Sequence, residues 1–301
     1  MDILPITGAN IEGVWRLFND TAAECDRLPL AWLRFKILDD PDPDAGLRLA
    51  AIENGRPVAF MDAACREEDG NLVGYLKAWG TVPEFRDRKI ATELLTRIED
   101  RFRARGVSRV QAGQAKPHYY TPGIDPASYT RGIAFLLRRG FAYHSQSYNM
   151  DVPLSGRTFA DTHLEGRLAG QGITVRRVLP GEKSDFVRRV IDEGWTCSWQ
   201  YQCATAATSR PPAAFIAEGN GRLLGFAVYD AVRPAWFGPT GTSEDARGSG
   251  IGSVLFLRCL DDMRDRGYPV CHIGAVGPLY FYAKVADAAV SRSFWHMRKD
   301  L

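Results

Sequence analysis

The chain has 301 residues but no apolar run long enough to cross a bilayer. Its start, Met1-Asp2-Ile3-Leu4-Pro5, has neither the basic flank nor the apolar stretch of a secretory leader. A net charge of +2 gives no field that would gather nucleic acid or a membrane surface. The six cysteines, at 25, 65, 197, 203, 259 and 271, include no C-x-x-C pair and no zinc spacing. Reduced thiols in a cytoplasm, and no metal, are the expectation. Two nucleotide signatures are also missing. No Gly-Lys-Ser or Gly-Lys-Thr marks a P-loop, and the one dense glycine cluster has Ser253 where a Rossmann turn needs its third glycine.

That cluster is Arg247-Gly248-Ser249-Gly250-Ile251-Gly252. It follows an apolar segment of β character and opens a long amphipathic helix. Glycines there accept φ > 0 and let backbone N–H groups turn towards an anion. The helix start adds unpaired donors and the positive end of its dipole. Ile251 and Ser253 fall in the first turn, so 247–253 reads as a phosphate cradle.

The chain also repeats itself. Arg86 to Gly106 and Arg247 to Gly267 are each twenty residues apart, and Gly113 and Gly274 each lie seven further on. Ile90, Leu94, Ile98 and Phe102 form one apolar stripe, and Ile251, Leu255, Cys259 and Met263 form another. Each predicted helix ends at Arg-Gly, as C-cap chemistry favours. Upstream, Asn54-Gly55 and Asn220-Gly221 each separate two apolar runs, a hairpin signature. Each half then reads strand, helices, antiparallel hairpin, strand, turn, helix, strand. The expected fold is mixed α/β with a partly antiparallel sheet, as two domains at 1–153 and 172–301 joined by a linker at 154–171.

Arg247, Gly250 and Gly252 form R-x-x-G-x-G, which resembles the pyrophosphate loop of the GNAT acetyltransferases. The repeated order resembles a tandem arrangement of that fold, seen also in mycothiol synthase and some N-acetyltransferases of antibiotic biosynthesis. The resemblance implies an acetyl-CoA-dependent N-acetyltransferase acting on a small-molecule amine, or alternatively a CoA-binding sensor without transferase activity. It implies that a strand at about Ala235 to Thr242 lines the pantetheine through Thr240, Gly241 and Thr242. Phe281-Tyr282-Ala283-Lys284 is similar to the segment in which family members place the tyrosine that protonates the leaving thiolate, so Tyr282 is the candidate acid.

The N-terminal counterpart departs from that pattern. Lys89 and Ala91 stand where Gly250 and Gly252 stand, and Leu136 stands opposite Tyr282. Side chains at the loop disfavour left-handed backbone and close approach, so the N-terminal copy is expected to be degenerate and the C-terminal copy catalytic. Between Gly113 and Phe135 lies an insertion, Pro117 to Pro126, read as a packing loop, with a substrate wall using His118 and the tyrosines as the alternative. Trp195, Trp199 and Tyr201 wall an acceptor pocket or belong to the core. No carboxylate stands on the C-terminal strand before the loop, which leaves His272, Asp230 or water as the base.

Overall fold

Both Asn-Gly pairs turn as their sequence requires. Asn54 and Gly55 have φ of 50° and 76°, and Asn220 and Gly221 have 51° and 73°. Only a left-handed pair closes a two-residue hairpin with the right twist. The structure, a computed structural model, describes all residues except Asp69 and Thr196 and the side chain of Cys197. In chain order it contains β1 (Asp2–Pro5), α1 (Ile11–Thr21), α2 (Leu30–Ile37), β2 (Arg48–Glu53), β3 (Arg56–Glu68), β4 (Asn71–Thr81), α3 (Ile90–Ala104), β5 (Arg109–Ala112), α4 (Thr130–Leu137) and β6 (Ala142–Pro153). There follow α5 (Thr162–Gly170), β7 (Thr174–Arg177), α6 (Lys183–Asp192), α7 (Cys197–Ala206), β8 (Ala214–Gly219), β9 (Arg222–Tyr229), β10 (Trp236–Thr242), α8 (Ile251–Asp265), β11 (Val270–Ile273), α9 (Leu279–Ala286) and β12 (Ala289–Asp300).

The chain divides into a first unit, Met1–Ser147 with Ser293–Leu301, and a second, Tyr148–Arg292. In the first, β1 to β4 pair antiparallel in sequence order and β4 runs parallel to β5. The second repeats this with β7 to β10 antiparallel and β10 parallel to β11. Each unit is completed by the strand that closes the other sequence repeat. Met297–Asp300 of β12 pair with β5, and Met150–Pro153 of β6 pair with β11. The repeats at 1–153 and 172–301 and the compact units therefore differ. The stretch 154–171, expected as a linker, contains α5, whose Asp161 cap accepts from the Leu164 N–H at 2.9 Å.

The two sequence stripes are core faces. α3 buries Ile90, Leu94, Leu95, Ile98 and Phe102, and α8 buries Ile251, Leu255, Cys259 and Met263 among others. Each helix stops before a left-handed glycine, Gly106 at φ 78° and Gly267 at φ 85°. Strand glycines let these helices approach closely. A Cβ on Gly74 of β4 would sit 2.9 Å from the Phe102 ring, and one on Gly225 of β9 would sit 3.0 Å from Ile251. Because Phe102 is fully buried, Gly74→Ala is expected to cost about 1–3 kcal/mol as overpacking. Urea denaturation checks this, and an unchanged midpoint would show that α3 can move away.

Candidate functional site

In the first unit the parallel ladder is short. It pairs Val73–Leu76 with Arg109–Ala112, gains one bond from the Gly113 N–H to the Leu76 carbonyl at 2.9 Å, and ends. Beyond it Lys77–Thr81 part from β5. A cavity of about 820 Å³ opens there, within the usual size of small-molecule sites. Its walls include Lys77 to Thr81, the loop at Arg86 to Thr92, Tyr120 to Ile124, and the start and face of α4. A crevice at the carboxyl ends of parallel strands is where α/β sheets bind ligands.

The loop at 86–91 has the backbone expected only of its glycine-rich twin. Asp87 and Lys89 both have φ of 60°, matching Gly248 at 80° and Gly250 at 101°. Lys89 thus takes the left-handed backbone that a side chain there was expected to disfavour. The surrounding structure holds Asp87 and Lys89 left-handed, and both are exposed at the cavity that they line. Ile90, Ala91 and Thr92, which open α3, line the cavity, and a helix start of this kind carries unpaired N–H donors able to receive an anion. Arg86, Lys89, Arg131, Arg138 and Arg139 line the same cavity, and Arg139 donates to the Thr92 hydroxyl at 2.8 Å.

At the other end lie Phe18, Asp26, Lys77, Tyr120 and Tyr129. The insertion expected as packing supplies Tyr120, Thr121, Gly123 and Ile124, so it is a cavity wall. Behind it is a buried ionic network. Lys77 Nζ lies 2.6 Å from Asp40 and 3.2 Å from Asp62, and the Tyr120 hydroxyl donates to Asp62 at 2.8 Å. Burial pushes the Asp40 carboxyl up, but Lys77 and Arg66 more than offset this and hold it well below the usual range. Asp62 is raised, since its complete burial outweighs Lys77. His118 stacks on Phe35 with ring centroids 4.1 Å apart, and burial with Lys77 pushes it down to about 3, so it is neutral.

The second unit covers its loop. A Cβ on Gly250 would lie 2.6 Å from Leu164 Cδ1 and 3.3 Å from the Arg167 guanidinium, both on α5. Arg167 donates to the Ser249 carbonyl at 3.2 Å. Trp195 also approaches Gly241 closely, at 2.9 Å from a Cβ built there, and stacks edge-on against Phe226 at 4.9 Å, as Trp199 does at 5.8 Å. Both indoles pack on the core, while Tyr201 is exposed. Gly252 faces Thr242, Thr240 donates to the Phe226 carbonyl at 2.9 Å, and Arg247 is exposed beside Glu244. Gly248, Ile251 and Ser253 complete the turn into α8. Tyr282 is buried against Phe237, Phe256 and Phe281, and burial raises its pKa further above the ordinary phenol. His272 is half-exposed, with Nδ1 2.8 Å from Asp151. Asp230 is spent on the Tyr268 hydroxyl and the Ala235 N–H.

Comparison with known proteins agrees with this doubled frame. The profile of the acetyltransferase (GNAT) family matches twice, over residues 11–121 and 182–278. The chain belongs to that family. A mycothiol acetyltransferase of Thermomonospora curvata is 33% identical over 125 residues, which is 38% of this chain and 42% of that protein, less than half of either. Among solved structures, a tandem GNAT protein from the clavulanic acid biosynthesis pathway matches at a TM-score of 0.68 and 14% identity, over 99% of this chain and 98% of that one. The glucosamine N-acetyltransferase region of a fungal multi-domain β-N-acetylglucosaminidase matches at 0.77 and 16% identity, over 99% of this chain and 38% of that one. At such identities the structures speak for the fold, two tandem GNAT-like domains of mixed α/β type. Among the described residues no group of three or more His, Cys, Asp or Glu is arranged to hold a metal, and no helix is long and apolar enough to cross a membrane.

Sequence reasoning passed over Asp26, Tyr129, Arg131, Arg138 and Arg139, because distance along the chain hides their convergence on one cavity. The Arg138-Arg139 pair beyond α4 was the available signal, since Arg139 stands opposite the apolar Val285 of the other half. The two loops differ in what a substitution does. Lys89→Gly removes about 1–2 kcal/mol of left-handed strain against about 0.4–1 kcal/mol of added unfolded-state freedom, so stability is expected to hold or rise. Gly250→Ala adds that strain and a collision with Leu164, and about 2 kcal/mol is expected to be lost. Thermal unfolding of both variants checks the pair, with the opposite order contradicting the loop assignments.

Proposed function

We propose that this protein is an acetyl-CoA-dependent N-acetyltransferase for a small-molecule amine, and that the acyl donor binds in the cavity of the first unit. The observation that carries this reading is the cavity itself. It joins a parted strand, a helix N-terminus and five cationic side chains at one end to a less basic, aromatic end at the other. CoA has matching parts: a pyrophosphate and a ribose phosphate, then a pantetheine arm with amides. The α3 N–H groups and Lys89 would take the pyrophosphate, Arg138 and Arg139 the remaining phosphate, and the free edge of Lys77–Thr81 the amides. This chain's own work is to bind, to align the thioester with the amine nitrogen, and to exclude water.

Family membership and the mycothiol acetyltransferase relative support acyl transfer in general. The acceptor, the acetyl group and a cytoplasmic setting are part of the proposal. The repeat boundaries at 1–153 and 172–301 stand as the proposed duplication units, with the strands β6 and β12 exchanged between their products.

A second reading keeps acetyl-CoA on Thr240–Thr242 and Arg247–Ser253, with Tyr282 as acid and His272 as base. Its three glycines favour it. It requires α5 and Trp195 to move, since Leu164, Arg167 and the indole occupy the space against Gly250 and Gly241. Calorimetry separates the two. Lys89→Glu with Arg139→Glu is expected to weaken acetyl-CoA binding at least roughly tenfold, about 1.4 kcal/mol, while Gly250→Glu leaves it unchanged. Loss of binding in Gly250→Glu alone would transfer the site to the second unit.

A further inference from the structure

The acyl transfer proposed above needs a base, because most amines are protonated near neutral pH. The open stretch of β4, Lys77-Ala78-Trp79-Gly80-Thr81, has no carboxylate. Two aspartates line the cavity, Asp26 and Asp87. Asp87 belongs to the exposed loop at the basic mouth, on the phosphate side. Asp26 lies in the short turn Glu24–Asp26 between α1 and α2, is 3% exposed, and faces the aromatic end. Its position is held from another part of the chain. The Tyr129 hydroxyl donates to Asp26 Oδ2 at 2.7 Å and itself accepts from the Ala23 N–H at 3.1 Å. The phenol's proton is thus directed at the carboxylate, and Asp26, which lines the cavity, is held in place by the residue that precedes α4.

Other titratable groups at this end have partners of their own. Lys77 is held between Asp40 and Asp62, and Tyr120 donates to Asp62. Asp42 is paired with Arg105 at 2.9 Å. Cys25, the neighbour of Asp26, is exposed.

We propose that Asp26, oriented by Tyr129, is the general base that deprotonates the acceptor amine. This rests on the transferase reading and on the cavity of the first unit. The acceptor ammonium gives one proton to the Asp26 carboxylate. The neutral nitrogen then attacks the thioester carbonyl carbon, the N–C bond forms, the C–S bond breaks, and the second amine proton passes to sulfur so that the thiol leaves neutral. Asp26 returns its proton to water. Asp26 is the catalytic residue in this account, and Tyr129 is a positioning residue.

The test uses thiol release from acetyl-CoA by the full chain with two probe amines. Benzylamine is protonated near neutral pH, whereas methoxyamine is already neutral and needs no base before attack. Asp26→Asn is expected to lower kcat with benzylamine by roughly 10²–10⁴-fold, the range of general-base contributions, while methoxyamine stays within about threefold and acetyl-CoA affinity by calorimetry is unchanged. Tyr129→Phe keeps the ring and is expected to lower the benzylamine rate roughly tenfold with the same sparing of methoxyamine. It carries the test if Asp26→Asn loses acetyl-CoA affinity. Equal loss with both amines, or no loss with benzylamine, overturns the assignment of Asp26. Acetyl-CoA binding without thiol release from the wild-type chain to either amine overturns the transferase reading, and the base with it.

Discussion

The parting of β4 from β5 after Leu76 and Ala112 is the constraint on which the site depends. A strand leaving its neighbour within a sheet exposes N–H and C=O groups that cost free energy unless something pairs with them. The split also makes room, since neither strand can follow the other past Gly113. The loop at 86–91 then turns the chain into α3 so that the unpaired N–H groups of the helix start point at the same opening. Strand edge, helix end and cavity are thus consequences of one interruption in a ladder, and the cations of α4 and its C-terminal turn are gathered around its mouth.

The second unit has the same interruption, where β10 leaves β11 after Phe237 and Ile273. What differs is what covers it. In the first unit the loop is exposed and the space between the strands is open. In the second, α5 lays Leu164 and Arg167 against Gly250 and Ser249, and Trp195 lies on Gly241. Glycine's lack of a side chain is used there by protein atoms. The feature that makes a loop receptive to phosphate also makes it receptive to a packed helix, and composition does not distinguish the two uses.

The frame of each half was legible because it follows from local rules. Asn-Gly turns, apolar stripes and Arg-Gly helix ends each depend on a few neighbouring residues, and all stand where the sequence puts them. The loop comparison carries a physical lesson. It took a side chain at Lys89 to disfavour left-handed backbone, yet Lys89 has φ of 60°, and strain of about a kcal/mol is easily held by the surrounding fold. Tyr282 is the acid candidate from its place in a short segment, but that segment alone does not show that its ring packs on Phe237 of β10 and Phe256 of α8. Asp26 and Tyr129 lie about a hundred residues apart and meet only through the fold, so no local pattern could join them.

The most direct test of the central claim is amide hydrogen exchange with and without acetyl-CoA. The account predicts that added acetyl-CoA slows exchange at residues 77–92 and 129–139 and leaves 162–170 and 240–253 as they were. Protection at 240–253 accompanied by faster exchange at 162–170, with no change in the first unit, would contradict it.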